Sequence, residues 1–276
     1  MGIHGENINM AMSPGRLDQV LYKFYKADMD KGILTEKEAI EIAGCLWLKL
    51  NDNTNLVPST ASKLFGGAGT VPAVTLGGVD AEGEDAVNDL TYIMLRVTEL
   101  LQTRDPNVNA RYHYEKNTTD YRNRVAEVIN NTKAVPALHN DVFDIKSLQN
   151  QGFSPEHARD YAIIGCVELA SAGRSYNASS SIIFNLTAPL EMALYNGIMP
   201  SAGSDQVGPK TGAPGDFKTI DSFWEALKAQ LGFLIGQAVD LNNKFGYVYQ
   251  NMQPTPLLSA FFEGPMDKGK DLIFGG

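Results

Sequence analysis

Segments with helical and strand-like patterns alternate along this chain, and that alternation constrains the fold more than any other feature. Thr35 and Glu38 have the spacing of a capping box, and the residues that follow carry an apolar stripe of helical period. A short apolar run at 71–76, bounded by glycines and prolines, predicts a strand, and the amphipathic pattern at 87–101 predicts a long helix. Because strands separated by helices favour parallel pairing, the sequence predicts an α/β fold with a largely parallel sheet.

The same alternation continues toward the C-terminus. Ser154 and Pro155 have the residue types preferred at a helix N-cap and first position, and Asp221 is expected to cap a long helix. The stretch 200–215, rich in glycine, proline and serine, has the composition of a linker. The remaining predicted elements are strands at 108–112 and 134–138 and helices at 120–129 and 185–196.

The charge and composition of the chain exclude several classes of function. Its 276 residues fit one large domain or two small ones, and 32 Asp and Glu against 23 Lys and Arg give a net charge of −9. That sign argues against binding to nucleic-acid phosphates or to an anionic membrane surface. The apolar stretches are too short to span a membrane, no secretory signal pattern is present, and two cysteines make no disulfide framework. We therefore expect a soluble, cytoplasmic protein without nucleic-acid or membrane partners.

Cys166 and Glu168 are the residue pair with the clearest chemical implication. Residues 162–168 have the pattern of a strand that emerges into a turn, and side chains two apart on a strand project to one face. A thiol beside a carboxylate is a poor thiolate nucleophile, because the negative neighbour raises the thiol pKa. The pair suits a metal site, or a neutral thiol that exchanges a hydrogen atom beside a separate base. The structural alternative is a buried cysteine at a strand end with a solvated glutamate.

Other candidate sites are weaker. Cys45 lies within the apolar helix pattern and is expected to pack in the core. The four histidines show no paired ligand spacing, so no metal site is expected. A cysteine-dependent hydrolase, with Cys166 and one histidine, stays open as an alternative. The glycines at 66–69 lack the other residues of a phosphate-binding loop, which favours a flexible loop.

The segment 158–169, which contains Gly165, Cys166 and Glu168, resembles the thiyl-radical loop of the glycyl radical enzymes. These pyruvate formate-lyase-like proteins include glycerol and diol dehydratases, choline lyase, isethionate lyase and arylacetate decarboxylases. Further stretches resemble the family in the same order, and together they span nearly the whole chain: 13–19, 34–39, 45–50, 74–78, 88–91, 105–111, 139–141, 184–186 and 254–256.

The resemblance implies a fold, a reaction and two catalytic residues. The fold would be part of a ten-stranded α/β barrel, and residues 1–276 would be the central portion of the catalytic domain, without its N-terminal part and C-terminal glycyl radical domain. Cys166 would be the thiyl-radical cysteine that abstracts hydrogen from a small polar substrate, and Glu168 would be the general base or acid. The reaction would cleave a C–X or C–C bond, as in a dehydratase, lyase or decarboxylase.

Two departures from the family pattern narrow the reaction. Val167 follows Cys166 where pyruvate formate-lyase has a second cysteine, which disfavours formate-lyase chemistry on pyruvate. Ser179 and Ser180 stand where the dehydratase and choline-lyase branch has a His-Asp pair, so classical diol or choline elimination is disfavoured too. With Tyr176 and Asn177, these serines are instead expected to hydrogen-bond a substrate carboxylate or sulfonate; the alternative is that the chain belongs to an uncharacterised branch of the family.

The family's cofactor arrangement implies partners. No cofactor is expected to bind this chain directly. The glycyl radical would lie on a segment absent here and would be installed by an activating enzyme that uses S-adenosylmethionine and an iron–sulfur cluster. The full-length protein is expected to be a homodimer, and the isolated chain to be inactive. The alternative within the same fold is a non-catalytic remnant or partner module.

Overall fold

The computed structural model describes residues 13–52, 59, 62–63, 69–175 and 182–272. The chain divides into two compact units, unit 1 (Met1–Asn177 and Thr255–Gly276) and unit 2 (Ala178–Pro254). In chain order the elements are α1 (Leu17–Val20), α2 (Tyr22–Asp30), α3 (Glu36–Asn51), β1 (Ala73–Gly77), α4 (Asp89–Leu101), β2 (Asn107–Tyr112), α5 (Thr119–Thr132), β3 (Ala137–Asn140), α6 (Asp141–Asn150), α7 (Pro155–Arg159), β4 (Tyr161–Ile164), β5 (Glu168–Ser171), α8 (Ala188–Leu194), α9 (Ile220–Met252), α10 (Pro256–Ser259) and α11 (Pro265–Lys268).

A parallel sheet in the order β1-β2-β3 forms the centre of unit 1. Since side chains alternate along a strand, the sheet has two different faces. One is apolar and packs in a core with α3, α4 and α5; its members on the sheet are Val74, Leu76, Val108 and Ala110. The opposite face is polar, and its members are Thr75, Asn107, Asn109, Arg111 and His139. The predicted α/β class and parallel pairing are confirmed.

The helix signals of the sequence are confirmed in unit 1 with one exception. Thr35 caps α3 and Glu38 completes the capping box. Ser154 caps α7, with Pro155 at its first position. The prediction for Cys45 is wrong, because this residue is exposed. It lies two positions from both Ala43 and Trp47, which are buried, and a two-residue step turns a helix by about 200°.

Three predicted boundaries differ from the structure. The strand predicted at 134–138 begins only at Ala137, since α5 continues to Thr132 and the left-handed Lys133 turns the chain first. The helix predicted at 185–196 is limited to α8. Asp221 does not cap α9; the Thr219 hydroxyl accepts the hydrogen bond from the Ser222 N–H and places the start of the helix at Ile220.

A buried ion pair joins β2 to the start of α6. The Arg111 guanidinium donates to the Asp141 carboxylate from Nε (2.9 Å) and Nη2 (3.0 Å), and both side chains are fully buried. Asp141 also accepts from the Val79 N–H and the Tyr161 hydroxyl. Gly78 leaves room for the pair, because a Cβ at this position would lie 2.7 Å from Asp141 Oδ2. The sheet is thereby tied to β4, which Tyr161 begins.

Glu99 of α4 anchors α5 through a second ionic cluster. It accepts hydrogen bonds from Arg124, Asn131 and Arg96. These bonds, that of Arg124 above all, lower the pKa of Glu99 from its ordinary 4.5 to about 2. Because the folded pKa lies below the unfolded value, the stabilisation is complete above about pH 4.5 and is lost as the pH falls toward about 2.

We therefore expect Glu99→Gln to lower the free energy of unfolding by about 1 kcal/mol at neutral pH, a value reduced for solvent screening. The difference from wild type should shrink steadily as the pH falls below about 4.5, because protonated glutamate and glutamine then become equivalent in charge. Urea denaturation of both proteins at pH 7, 4.5 and 3 measures this difference in the free energy of unfolding. A difference that stays constant over this pH range would contradict the assignment.

Unit 2 is built on α8 and α9. Met192 of α8 and Ala226 of α9 are buried, and the Gln230 amide donates to the Pro209 carbonyl and the Thr211 hydroxyl. The stretch predicted as a linker, 200–215, is irregular backbone with turns and bends, and a 3₁₀ turn begins at Pro214. None of the helices in the described residues is long and apolar enough to cross a membrane.

Candidate functional site

Cys166 lies in the turn of a β-hairpin. Strands β4 and β5 pair antiparallel, with Ile164 opposite Glu168, and residues 165–167 connect them. Gly165 has a φ of 57°, a left-handed conformation that favours glycine and reverses the chain before the cysteine. The thiol is exposed at the tip of this hairpin, with Val167 beside it. The prediction that Cys166 and Glu168 share a strand face is therefore wrong, because Cys166 precedes the strand.

Glu168 nevertheless lies against the cysteine, by a different geometry. Its carboxylate bends back over the turn, and Oε2 accepts hydrogen bonds from the Cys166 N–H and the Val167 N–H, both at 3.1 Å. Partial desolvation, and secondarily the negative charge of Glu168, raise the pKa of the Cys166 thiol above its ordinary value. The sulfur therefore keeps its hydrogen at neutral pH. This arrangement favours hydrogen-atom chemistry over attack by a thiolate.

Two further side chains hold the backbone of the turn. The Ser13 hydroxyl accepts a hydrogen bond from the Gly165 N–H and another from the Ala73 N–H, each at 3.0 Å. The Asn107 amide donates to the Gly165 carbonyl (2.9 Å) and to the Cys166 carbonyl (2.7 Å). Both anchors lie where β1 and β2 begin. The cysteine turn is therefore fixed to the N-terminal edge of the parallel sheet.

A row of polar contacts continues across the sheet from Asn107. The Asn109 amide donates to the Asn107 carbonyl, and its oxygen lies 3.1 Å from His139 Nε2. The other ring nitrogen of His139 lies 3.5 Å from Asp144. His139 was one of the four histidines considered as a partner for the thiol, and its ring is held by these two residues instead. On β1, the Thr75 hydroxyl accepts from the Ile163 N–H, which attaches β4 to the same face.

The other predicted site residues cannot be placed. Tyr176, Asn177, Ser179 and Ser180 lie outside the described residues, so their roles stay predictions. Within the described ranges, no group of three or more His, Cys, Asp or Glu side chains is arranged to hold a metal ion.

Sequence reasoning missed Ser13, Asn107 and Asn109 as functional residues. A signal was present for two of them, because polar and apolar residues alternate over Asn107–Tyr112. In a strand covered on both faces, a row of polar side chains must face polar partners. The identity of those partners, 59 positions away in the case of Cys166, has no counterpart in a local pattern.

Comparison with known proteins finds one family model and several relatives that are similar to this chain. A family model described as pyruvate formate lyase-like matches residues 1–276. The (2S)-3-sulfopropanediol dehydratase of Klebsiella oxytoca is 34% identical over 276 residues, which cover 98% of this chain and 33% of that protein. The isethionate sulfite-lyase of Bilophila wadsworthia is 37% identical over 220 residues, which cover 79% of this chain and 26% of that protein. The chain thus spans about a third or less of the length of these relatives.

A solved structure extends the likeness to the fold. A glycyl radical enzyme from Archaeoglobus fulgidus superposes with a TM-score of 0.89 and 35% identity, covering 99% of this chain and 35% of that one. The resemblance found in the sequence is confirmed, as is its placement near dehydratase and lyase branches. The expected fold class is confirmed too, and the parallel sheet of unit 1 is part of an α/β barrel.

Proposed function

Because this chain belongs to the pyruvate formate lyase-like family, we propose that it is the portion of a glycyl radical dehydratase or lyase that carries the hydrogen-abstracting cysteine. The observation that carries the proposal is Cys166 itself, a thiol with a raised pKa at the tip of a hairpin with a carboxylate against it. The chain's share of its relatives' length supports a portion of such an enzyme, which we assign to the central part of the catalytic domain. The glycyl radical domain would lie elsewhere in the enzyme.

Cys166 performs the hydrogen-atom transfers in this proposal. A glycyl radical, when present, supplies the unpaired electron that removes the hydrogen atom from the Cys166 sulfur. The sulfur radical then takes a hydrogen atom from a substrate carbon, which forms the S–H bond and leaves the electron on that carbon. After bond cleavage, the S–H bond returns its hydrogen atom to the product radical. A neutral thiol is required in the two steps in which the S–H bond gives up its hydrogen atom, and desolvation and the Glu168 charge both favour the neutral form.

Glu168 exchanges the proton that accompanies bond cleavage. Its Oε2 is occupied by the two N–H groups of the turn, which fixes the orientation of the carboxylate. We assign Oε1 to the proton on the substrate group next to the radical carbon. A base held by the backbone N–H groups of the turn stays in position while the substrate radical forms, which is the condition for effective proton transfer.

The substrate would be a small polar molecule that loses a C–X or C–C bond. Two similar relatives are named for sulfonated substrates, sulfopropanediol and isethionate. Tyr176, Asn177, Ser179 and Ser180 follow the hairpin in sequence, and we assign them to binding a sulfonate or carboxylate of the substrate. The protein partner in this proposal is an activating enzyme with S-adenosylmethionine and an iron–sulfur cluster, and the full-length enzyme acts as a homodimer.

Anaerobic activation tests the proposed function. The complete protein is incubated with an activating enzyme, its radical is quantified by electron paramagnetic resonance, and small hydroxylated, sulfonated and carboxylated compounds are offered as substrates. Radical-dependent cleavage of one of them is expected. A protein that acquires no radical would instead be the non-catalytic module. Hydrolysis in air that stops on thiol alkylation would establish the hydrolase alternative, against which the raised thiol pKa argues.

Glu168→Gln is expected to slow turnover by about 10²-fold or more, the usual contribution of a general acid or base. Glutamine keeps the size of the side chain and its acceptor oxygen but cannot take up a proton. The radical signal after activation should equal that of wild type. Steady-state rates on the identified substrate measure the effect, with Glu41→Gln, an exposed glutamate of α3, as the matched control. Near-normal turnover of the Glu168 variant would remove this residue from the role of base.

A further inference from the structure

Five polar groups of the backbone around Cys166 are held by side chains. Ser13 accepts from the Gly165 N–H, and Glu168 accepts from the N–H groups of Cys166 and Val167. The carbonyl groups of Gly165 and Cys166 accept from a single side chain, the amide of Asn107. Three side chains, of which Ser13 and Asn107 come from distant parts of the chain, therefore determine the path of the turn.

The backbone of Asn107 is itself held in place by the parallel sheet. It begins β2, where its N–H donates to the Pro72 carbonyl and its register places it opposite Ala73. Its own carbonyl accepts from the Asn109 amide, and Asn109 is fully buried and bonded to His139. The amide of Asn107 therefore projects from the sheet with both hydrogens committed to the turn.

We propose that Asn107 is a positioning residue for Cys166. Its hydrogen bonds hold the sulfur in a fixed position relative to the N-terminal edge of the sheet for hydrogen-atom transfer. The inference rests on the proposed function of Cys166. The geometry requires a donor with two hydrogens, because two carbonyl oxygens are bound at 2.9 and 2.7 Å. Aspartate has the same shape but presents oxygen to both carbonyls. Alanine leaves both carbonyls without this partner.

Fixation of this kind matters for the chemistry. Transfer of a hydrogen atom between sulfur and carbon requires that the two atoms approach closely along one line, and small misplacements of a reacting group lower rates strongly. Among the described residues, no hydrophobic packing covers the hairpin tip, since Cys166 and Val167 are both exposed. The hydrogen bonds of Asn107 are therefore the restraint that reaches Cys166 from the sheet.

The first test is a structural one that needs no turnover. In the complete, unactivated protein, Asn107→Ala and Asn107→Asp should increase amide hydrogen exchange of the turn at residues 165–168 by about tenfold, as expected when two neutral hydrogen bonds are lost. Alkylation of Cys166 should accelerate several-fold as the sulfur becomes more accessible. Cys45, exposed on α3, provides an internal reference whose alkylation rate should not change. Asn123→Ala, on the exposed face of α5, is the matched control.

The second test separates positioning from structure by kinetics. After activation, both Asn107 variants should lower kcat by about tenfold or more with KM within about twofold, and the radical signal should be that of wild type. Asn107→Gln keeps the amide and should recover part of kcat. If Asn107→Ala does not fold, the isosteric Asp variant and the longer Gln variant give the same comparison.

The outcomes distinguish the two proposals. Wild-type exchange, alkylation and kcat in the Asn107 variants would overturn the positioning role, whatever Cys166 does. Turnover by a Cys166→Ser protein would overturn the proposed function, even if the turn loosens as expected in the Asn107 variants. Loss of turnover in Cys166→Ser, together with the lowered kcat of Asn107→Asp, would support both.

Discussion

Replacement of Cys166 by alanine or serine is expected to abolish turnover in the activated enzyme and to leave the glycyl radical signal intact. Alanine removes the sulfur altogether. Serine keeps the shape of the side chain, but its O–H bond is too strong to exchange a hydrogen atom with carbon. The residue is exposed at a turn and contributes little to a core, so neither variant should unfold the protein.

Substrate consumption and electron paramagnetic resonance on the same activated sample measure this prediction. Cys45→Ala is the control, since it removes the other cysteine of this chain from an exposed position on α3. It should retain both the radical and the activity. Turnover by either Cys166 variant at a rate comparable to wild type would show that another group abstracts the hydrogen.

Asp141→Ala is expected to destabilise the protein by about 3–5 kcal/mol, the cost of leaving a buried charge without its partner. Arg111 is fully buried, and Asp141 accepts hydrogen bonds from its Nε and Nη2 at 2.9 and 3.0 Å. The substitution also removes the nearer of the two carboxylates that accept from the Tyr161 hydroxyl at the start of β4, and Asp144 is left as the other. The rate of amide hydrogen exchange should therefore rise throughout the hairpin that carries Cys166.

Urea denaturation of the variant and wild type measures the loss. The double variant Arg111→Met with Asp141→Ala should recover part of it, because it removes the unpaired charge along with its partner. Asp205→Ala, an exposed position in unit 2, should change stability by less than about 0.5 kcal/mol. A loss below about 1 kcal/mol for Asp141→Ala would mean that Arg111 finds another counter-charge or water.

The elements of the fold were predictable from the sequence where neighbouring residues decide the outcome. The capping box of Thr35 and Glu38 and the buried stripe of Ala43 and Trp47 involve residues three or four apart. The α/β class followed from the order of such patterns. Boundaries were less accurate, as at Asp221, because Thr219 competed as the cap and a local pattern does not rank two candidates two residues apart.

The site was predictable only in part. The segment around Gly165, Cys166 and Glu168 resembled a family, and that resemblance identified the residues without their geometry. The expectation that side chains two apart on a strand share a face placed the thiol and the carboxylate together for the wrong reason, since a turn separates β4 from β5 at that point. The carboxylate reaches the cysteine by bonding to the backbone of the turn.

The sequence by itself determined the class of fold, the caps of α3 and α7 and the family, because these depend on local motifs and on their order along the chain. Only the tertiary structure determined what holds Cys166. Asn107 lies 59 positions and Ser13 about 150 positions from the turn, and the parallel register of β1 and β2 brings them together. Arg111 and Asp141 are likewise 30 positions apart and meet because β2 and β3 are neighbours in the sheet. Contacts between distant residues arise from strand pairing and burial, and a local sequence pattern does not predict which distant residues these bring together.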